Sequence, residues 1–141
     1  PVAEGTLWAG TDDGRLHVTS NGGQSWTEVT PGDGAGLYMA CVEASAHDAR
    51  RAYVAVDGHR SDVFEPKVFM TDDLGASWRR IDGFGADGGL PDGWPARVIR
   101  EDPRNPDVLY VGTEQGAWVT IDGGRGDSGG WVKLADESLP N

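Results

Sequence analysis

Cysteine, lysine and long apolar runs are scarce in this sequence, and each scarcity excludes a class of protein. The single cysteine, Cys41, cannot form an intrachain disulfide. Lys67 and Lys133 are the two lysines, and 12 basic against 23 acidic residues give a net charge of −11. This charge excludes nucleic acid and anionic membrane as main partners, because both require a basic face. No apolar run approaches the roughly 18 residues of a membrane helix, so we predict no membrane insertion, and no signal peptide within the chain.

Glycine and tryptophan are abundant instead, with 22 and 6 copies, and their positions reveal an internal repeat. Three segments share a short apolar run, a second apolar run ending in threonine, a turn containing glycine, and a closing tryptophan. The closing residues Trp26, Trp78 and Trp131 lie 52 and 53 positions apart. A fixed period of about 50 residues is typical of repeat architectures such as propellers.

Within each repeat the apolar residues follow the two-residue period of β-strands, in short runs rich in β-branched and aromatic side chains. We predict an all-β fold of antiparallel four-stranded β-propeller blades. The 141 residues at this period give about 2.7 blades, a partial propeller. The predicted units are residues 1–31, which lack the inner strand, and the complete blades 37–83 and 96–135. The strands are predicted near 41–44, 52–56, 68–71 and 78–81 in the second unit, and near 97–100, 108–112, 117–120 and 131–134 in the third.

The turn between the last two strands of each unit carries the most specific motif. Its residues are Thr19, Asn21, Gly23, Ser25 and Trp26; Thr71, Asp73, Gly75, Ser77 and Trp78; and Thr120, Asp122 and Gly124, with Trp131 after four extra residues. The Asn or Asp side chain can accept backbone N–H groups across such a turn, and glycine can take the positive φ. We expect the tryptophan to pack against the stem of its own hairpin. The pattern favours a structural turn over a calcium site, which would require more acidic residues in one loop.

These turns resemble the Asp-box, or BNR repeat, in which the boxes stabilise the fold away from the active face. Several further stretches look like bacterial sortilin-like or "glycosyl hydrolase, BNR repeat" propeller proteins: residues 8–14, 52–60, 100–103 and 109–114. The resemblance implies a binding and scaffold module, with carbohydrate or peptide as the partner. It also leaves open a part of a sialidase-like or xyloglucanase-like glycoside hydrolase whose cleft is completed outside this chain.

No catalytic residue is assigned from the sequence. The sialidase resemblance implies an Arg-Ile-Pro stretch and a Tyr–Glu nucleophile pair, and no arginine here is followed by Ile-Pro. The 23 acidic residues make some carboxylate pair inevitable, so spacing alone does not identify a hydrolytic pair. His17, His47 and His59 lack metal-ligand spacing, and we predict no metal and no cofactor.

A candidate ligand face is predicted where the loops joining the second strand to the third meet the loops that enter each blade. The second unit has long loops of both kinds, and propeller geometry should place them on one rim. The candidate residues are Asp57, His59, Arg60, Asp62 and Trp94. A glycan or peptide contact face competes with the simpler interpretation of solvated loops with Trp94 as a packing plug.

Four further expectations concern assembly, location and small features. An open stack of blades should require either a homo-oligomer or the remainder of a longer propeller for closure, and the composition favours an extracellular or periplasmic location. Residues 125–128, Arg-Gly-Asp-Ser, match an adhesion tripeptide that a solvated loop would also produce. Cys41 is predicted to be a buried small hydrophobe, because no cation neighbours it in the sequence.

Overall fold

The computed structural model describes residues 2–83, 85–126 and 130–134 and shows three antiparallel sheets. The first contains β1 (Leu7–Gly10), β2 (Leu16–Thr19) and β3 (Thr27–Glu28). The second contains β4 (Tyr38–Ala44), β5 (Ala52–Asp57), β6 (Lys67–Thr71) and β7 (Arg79–Arg80). The third contains β8 (Ala96–Glu101), β9 (Leu109–Thr113), β10 (Gly116–Thr120) and β11 (Val132–Lys133).

Each sheet is a meander in which strands consecutive in sequence pair with each other. The two four-stranded sheets and the first, three-stranded sheet confirm the predicted all-β fold of antiparallel blades. The strand bounds differ in detail, since β4 begins at Tyr38 and the last strand of each sheet is only two residues long. Two short 3-10 turns, Gly32–Gly34 and His59–Ser61, lie in the connecting loops. Within the described ranges, no helix has the length and apolar character needed to cross a membrane.

The inner strands β4 and β8 carry a bulge at matching positions. The pairing of β4 with β5 shifts between Met39 and Cys41, and that of β8 with β9 shifts between Ala96 and Val98. Bulges insert one unpaired residue and redirect its side chain. The inserted residues are Ala40 and Arg97, so only the third sheet projects a long charged side chain from this point.

The second sheet forms the centre of the core because both of its faces are covered. Tyr53 and Ala55 of β5 belong to the cluster shared with the third sheet, whereas Val54 and Val56 belong to the cluster shared with the first. All four side chains are fully buried. The two-residue period of a strand therefore explains why β5 reads as a continuous apolar run.

The second and third of the turns between the last two strands pack on the preceding sheet, a contact that the sequence did not predict. Trp78 Nε1 donates to the carbonyl of Val29 at 2.6 Å, and Trp131 Nε1 donates to that of Ile81 at 2.7 Å. Val29 and Ile81 directly follow β3 and β7. The sheets approach so closely that each of these two indoles reaches the neighbouring sheet.

Glycine allows this close approach. A Cβ on Gly75 would lie 2.6 Å from Val29 Cβ, and one on Gly124 would lie 2.8 Å from Ile81 Cβ. Both glycines also have positive φ, 83° and 65°, where other residues are strained. The same turn thus joins the first sheet to the second and the second to the third.

Candidate functional site

The end of β5 and the bulge of β8 lie next to each other at one end of the strands. We call this side of the molecule the loop face. The Arg97 guanidinium forms ion pairs with Asp57, at the end of β5, and with Glu114, in the loop after β9. The Arg97 Nη2 to Glu114 Oε1 distance is 2.6 Å. The other carboxylate oxygen of Asp57 accepts the backbone N–H of His59 at 2.9 Å. Asp57 is buried, so its charge is balanced within the protein.

Three of the sequence-predicted face residues share the turn that follows β5. The His59 ring meets Phe64 edge-on, with centroids 5.5 Å apart, and the Arg60 guanidinium lies 5.3 Å from the centre of the Tyr38 ring. Asp62 closes the turn with φ of 57°, a conformation tolerated by aspartate. Phe64 is 43% exposed and therefore offers an aromatic surface to solvent beside these polar groups.

Trp94, the remaining candidate, lies in the segment between β7 and β8 and is half-buried. Three residues later the chain reaches Arg97, whose ion pair with Asp57 brings the end of this segment to the loop face. No hydrogen bond or ring contact joins Trp94 to the 59–61 turn in the described part of the chain. The structure therefore brings Asp57, His59, Arg60 and Asp62 together, and Trp94 stands apart from their contacts.

A second charged cluster on the loop face was missed by sequence reasoning. Lys67 Nζ lies 2.9 Å from Asp33 Oδ2 and also pairs with Glu65. Arg80 binds Asp33 at 3.0 Å and holds both carboxylate oxygens of Asp82 at 3.0 Å. Hydrogen bonding from Lys67 lowers the pKa of Asp33, and the charges of Lys67 and Arg80 lower it further, whereas burial acts in the opposite direction.

This cluster ties the loop entering the second blade to the strands of that blade. Asp82 is almost completely buried and also accepts the backbone N–H of Val68 at 2.9 Å. The position of a lysine at the very start of a strand was the signal in the sequence that could have indicated the cluster.

A third network lies between the second and third sheets at the opposite end of the strands. Glu101 accepts hydrogen bonds from Ser45 Oγ at 2.8 Å, Ala46 N–H at 2.6 Å and Tyr53 Oη at 2.8 Å, and Arg51 Nη1 lies 3.9 Å away. Burial raises the pKa of Tyr53, and its hydrogen bond to Glu101 adds to this. Tyr53 and Glu101 are both buried, so this Tyr–Glu pair joins two blades and does not face a substrate.

The three repeat turns have matching internal hydrogen bonds. The first threonine hydroxyl donates to the Asn or Asp at 2.7 Å in all three turns: Thr19 to Asn21, Thr71 to Asp73 and Thr120 to Asp122. In the first two turns the same side chain accepts the serine N–H, at 3.0 and 2.9 Å. In the third turn the backbone of Gly126 takes that position. The hydrogen bond from the Ser77 hydroxyl lowers the pKa of Asp73 to about 2.

Two other sequence expectations can be compared with the structure. Among the described residues, no group of three or more His, Cys, Asp or Glu side chains is arranged to hold a metal ion. Cys41 is half-buried and not buried as predicted, and a cation that is distant in the sequence lies beside it, since Arg100 Nη1 is 2.9 Å from its sulfur. The pairing of β4 and β8 across two blades creates this contact, which sequence proximity does not show. Residues 127 and 128 of the Arg-Gly-Asp-Ser stretch and residue 135 lie outside the described residues.

Comparison with known proteins shows what the sequence and the fold of this chain are similar to. No family model matches the chain. The chain is 31% identical over 135 residues to a xyloglucanase from Hypocrea jecorina (strain QM6a), an alignment that covers 88% of this chain and 16% of the relative. It therefore spans only a small part of that protein's length.

Solved structures show the same fold at lower identity. An ancestral GH74 enzyme superposes with a TM-score of 0.69 at 19% identity, covering 98% of this chain and 18% of that one. YCF48 bound to D1 peptide superposes with a TM-score of 0.65 at 22% identity, covering 94% of this chain and 38% of that one. This chain is a partial β-propeller. Its sequence relates it to a piece of a glycoside hydrolase propeller.

Proposed function

We propose that this chain is a binding and scaffold segment of a propeller and that its loop face contacts a β-glucan chain of the xyloglucan type. The observation that carries this is the exposed Phe64 ring beside His59, Arg60 and Asp62, on a face whose buried carboxylates are already paired. An aromatic surface with a few fixed polar groups is typical of ligand sites. The 31% identity to a xyloglucanase supports the choice of polysaccharide.

The proposal predicts a measurable loss on removing the aromatic ring. In affinity electrophoresis with xyloglucan, Phe64→Ala should weaken binding about tenfold, since an aromatic contact contributes on the order of 1 kcal/mol or slightly more. Val2→Ala is the matched control, because Val2 is also an exposed apolar residue, and it should leave binding unchanged. No retardation of the unmodified chain, or equal retardation of both variants and the parent, would contradict the proposal.

A glycoside hydrolase segment whose cleft is completed outside this chain is the second candidate function, supported by the 31% identity to a xyloglucanase. Burial raises the pKa of Glu43, although the Arg100 charge, with Nη1 3.2 Å from Glu43 Oε2, lowers it. A raised carboxyl pKa is what a general acid requires, but two carboxylates must flank the scissile bond. Release of reducing sugar from xyloglucan, lost in Glu43→Gln or in Asp57→Ala and Asp62→Ala, would replace the binding proposal with this one.

The finer identity of the segment is also a proposal. We infer that the repeat turns are Asp-boxes with a structural role, that residues 1–31, 37–83 and 96–135 are the blade units, and that the parent is an exported, sortilin-like or BNR-type protein. The matching hydrogen bonds of the three turns support the first inference. The similarity to a xyloglucanase supports the inferences on the blade units and on the parent protein only in that it relates this chain to a piece of a propeller.

We propose that the two outer sides of the stack each take another blade of the same repeat. Trp26 is 44% exposed, whereas its counterparts Trp78 and Trp131 donate to the preceding sheet. Leu134 follows β11 as Val29 and Ile81 follow β3 and β7, and it is 48% exposed. The two internal interfaces thus define the geometry with which Trp26 of one copy can dock beside Leu134 of another.

Light scattering tests this association in the purified chain. We expect a mass above 15.0 kDa that rises with concentration, because the exposed apolar sides require cover. Trp26→Ala should shift the population toward monomer, and Phe64→Ala, on the loop face, should not. A cooperatively folded 15.0 kDa monomer at micromolar concentration would show that the two sides do not bind another blade.

A further inference from the structure

A cavity of about 440 Å³ lies between the first and second sheets, at the end of the strands opposite the loop face. It is open to solvent and bounded by β2 and β3 on one side and by the turn after β6 on the other. Its lining residues are Val18, Thr19, Ser20, Ser25, Thr27, Glu28, Val29, Leu74, Gly75 and Ala76. Its lining is mixed, with several hydroxyl groups beside apolar side chains.

The matching position between the second and third sheets is occupied by an arginine. Arg79 Nη1 donates to the carbonyl of Gly124 at 2.5 Å, and Arg79 Nη2 lies 3.2 Å from Met70 Sδ. The guanidinium therefore bridges from the last strand of one blade to the turn of the next. It shows directly which chemical group this kind of inter-blade groove accommodates.

The repeat places Thr27 where the next interface has Arg79. Thr27 pairs with Val18 across β2 and β3, and Arg79 pairs with Met70 across β6 and β7. Each residue immediately follows the tryptophan that closes its turn. Because threonine is much shorter than arginine, the first groove keeps the volume that the guanidinium fills in the second.

The acceptor is repeated as well. Gly75 and Gly124 hold the same place in their turns, both with positive φ. Each is pressed against the residue that follows the neighbouring strand, Val29 or Ile81. The Gly75 carbonyl in the first groove thus corresponds to the Gly124 carbonyl that accepts from Arg79.

We propose that this cavity binds the guanidinium group of an arginine side chain presented by a peptide or protein partner. Among the described residues that line the cavity, Glu28 is the ionisable one, but its side chain lies on the other face of β3, beside His17. The hydroxyl groups of the lining and a backbone carbonyl inside suit the planar, five-donor fork of arginine. The net charge of −11 favours the approach of a cationic segment.

This site is separate from the loop face, so it does not depend on the glycan proposal. Failure of xyloglucan binding would leave it intact, and its own failure would leave the glycan proposal intact. The probe peptides Ac-Gly-Arg-Gly-NH2, its lysine analogue and its citrulline analogue distinguish a guanidinium site from a general cation site and from a neutral urea site.

Titration followed by amide NMR shifts provides the test. The arginine peptide should shift the amides of Thr27, Gly75 and Ala76 saturably, with a Kd of about 1–10 mM, the affinity range of a single side-chain contact. The lysine and citrulline peptides should bind at least about fivefold more weakly, because they lack either the fork or the charge. Glu28→Gln should leave the binding of the arginine peptide almost unchanged, because the Glu28 side chain lies on the other face of β3.

Thr27→Arg is the decisive variant, with Thr27→Ser as its matched control. The introduced arginine should fill the cavity as Arg79 fills the next groove, raise the melting temperature and abolish the peptide shifts. Thr27→Ser keeps the cavity open and should retain binding. The proposal is overturned if the arginine peptide causes no saturable shifts, if its analogues bind equally well, or if Thr27→Arg still binds it.

Discussion

Replacing Trp131 with alanine should lower the free energy of unfolding by about 3–5 kcal/mol, the usual cost of truncating a buried aromatic residue. Trp131 is 3% exposed, belongs to the core cluster between the second and third sheets, and donates Nε1–H to the Ile81 carbonyl. The same replacement at Trp26, which is 44% exposed, should cost about 1 kcal/mol or less in the monomer. One motif position therefore has two different energetic roles.

Urea denaturation followed by circular dichroism measures the difference. A Trp131→Phe variant separates packing from hydrogen bonding, since it retains an aromatic ring and leaves the Ile81 carbonyl without its donor. Trp131→Phe should lower the free energy of unfolding less than Trp131→Ala does. The difference between the two variants measures the packing that the phenylalanine ring retains. Equal losses at Trp26 and Trp131 would show that the tryptophan acts within its own turn and not between sheets.

The repeat, the strands and the turns could be predicted from the sequence because they depend on local patterns. The two-residue period located β5 and β9, and the Thr-x-Asp-x-Gly spacing located the turns whose hydrogen bonds join residues two to four positions apart. The first strand of the second sheet was placed less accurately, since β4 begins at Tyr38 and the prediction began at residue 41. The missed residues 38–40 contain a bulge, and a bulge interrupts the alternation on which the prediction rests.

The charged clusters and the inter-blade contacts could not be predicted in the same way. Lys67 reaches Asp33 across 34 residues, and Arg97 reaches Asp57 across 40. Such pairs depend on how the blades stack, and a chain with 23 acidic residues offers many alternative partners to each cation. The candidate loop-face residues were predicted from propeller geometry alone. Asp57 and His59 meet in one turn, whereas no hydrogen bond or ring contact joins Trp94 to them among the described residues.

The cavity between the first two sheets shows what comparison of repeats adds to a single structure. A threonine in the place of an arginine has little meaning in the sequence alone. Beside Arg79 and its Gly124 acceptor, the same threonine marks a groove without the guanidinium that fills the matching groove of the next interface. The matching groove of the next repeat therefore indicates which chemical group fits this cavity, as a bound ligand otherwise would.

The Glu101 network should prove as sensitive to mutation as the apolar core. Glu101→Ala should destabilise the chain by about 3–5 kcal/mol, because it removes the partner of several buried groups at once. The hydroxyls of Ser45 and Tyr53 and the N–H of Ala46 would each lose their acceptor. An unsatisfied buried donor costs about 1–3 kcal/mol, and water entering the gap left by the side chain would recover part of that.

Glu101→Gln and Glu114→Ala sharpen the interpretation of that loss. Glutamine keeps one carbonyl oxygen but brings an NH2 group against donors, so its cost should be smaller than that of alanine and still measurable by urea denaturation. Glu114, 54% exposed in its pair with Arg97, should cost about 1 kcal/mol or less when truncated, as exposed ion pairs do. If Glu101→Ala were as mild as Glu114→Ala, the second and third blades would be held together by apolar packing, and their interface would not need the buried carboxylate. A large loss at Glu101 with a small one at Glu114 would instead show that the buried network contributes to holding these two blades together, whereas the exposed ion pair on the loop face does not.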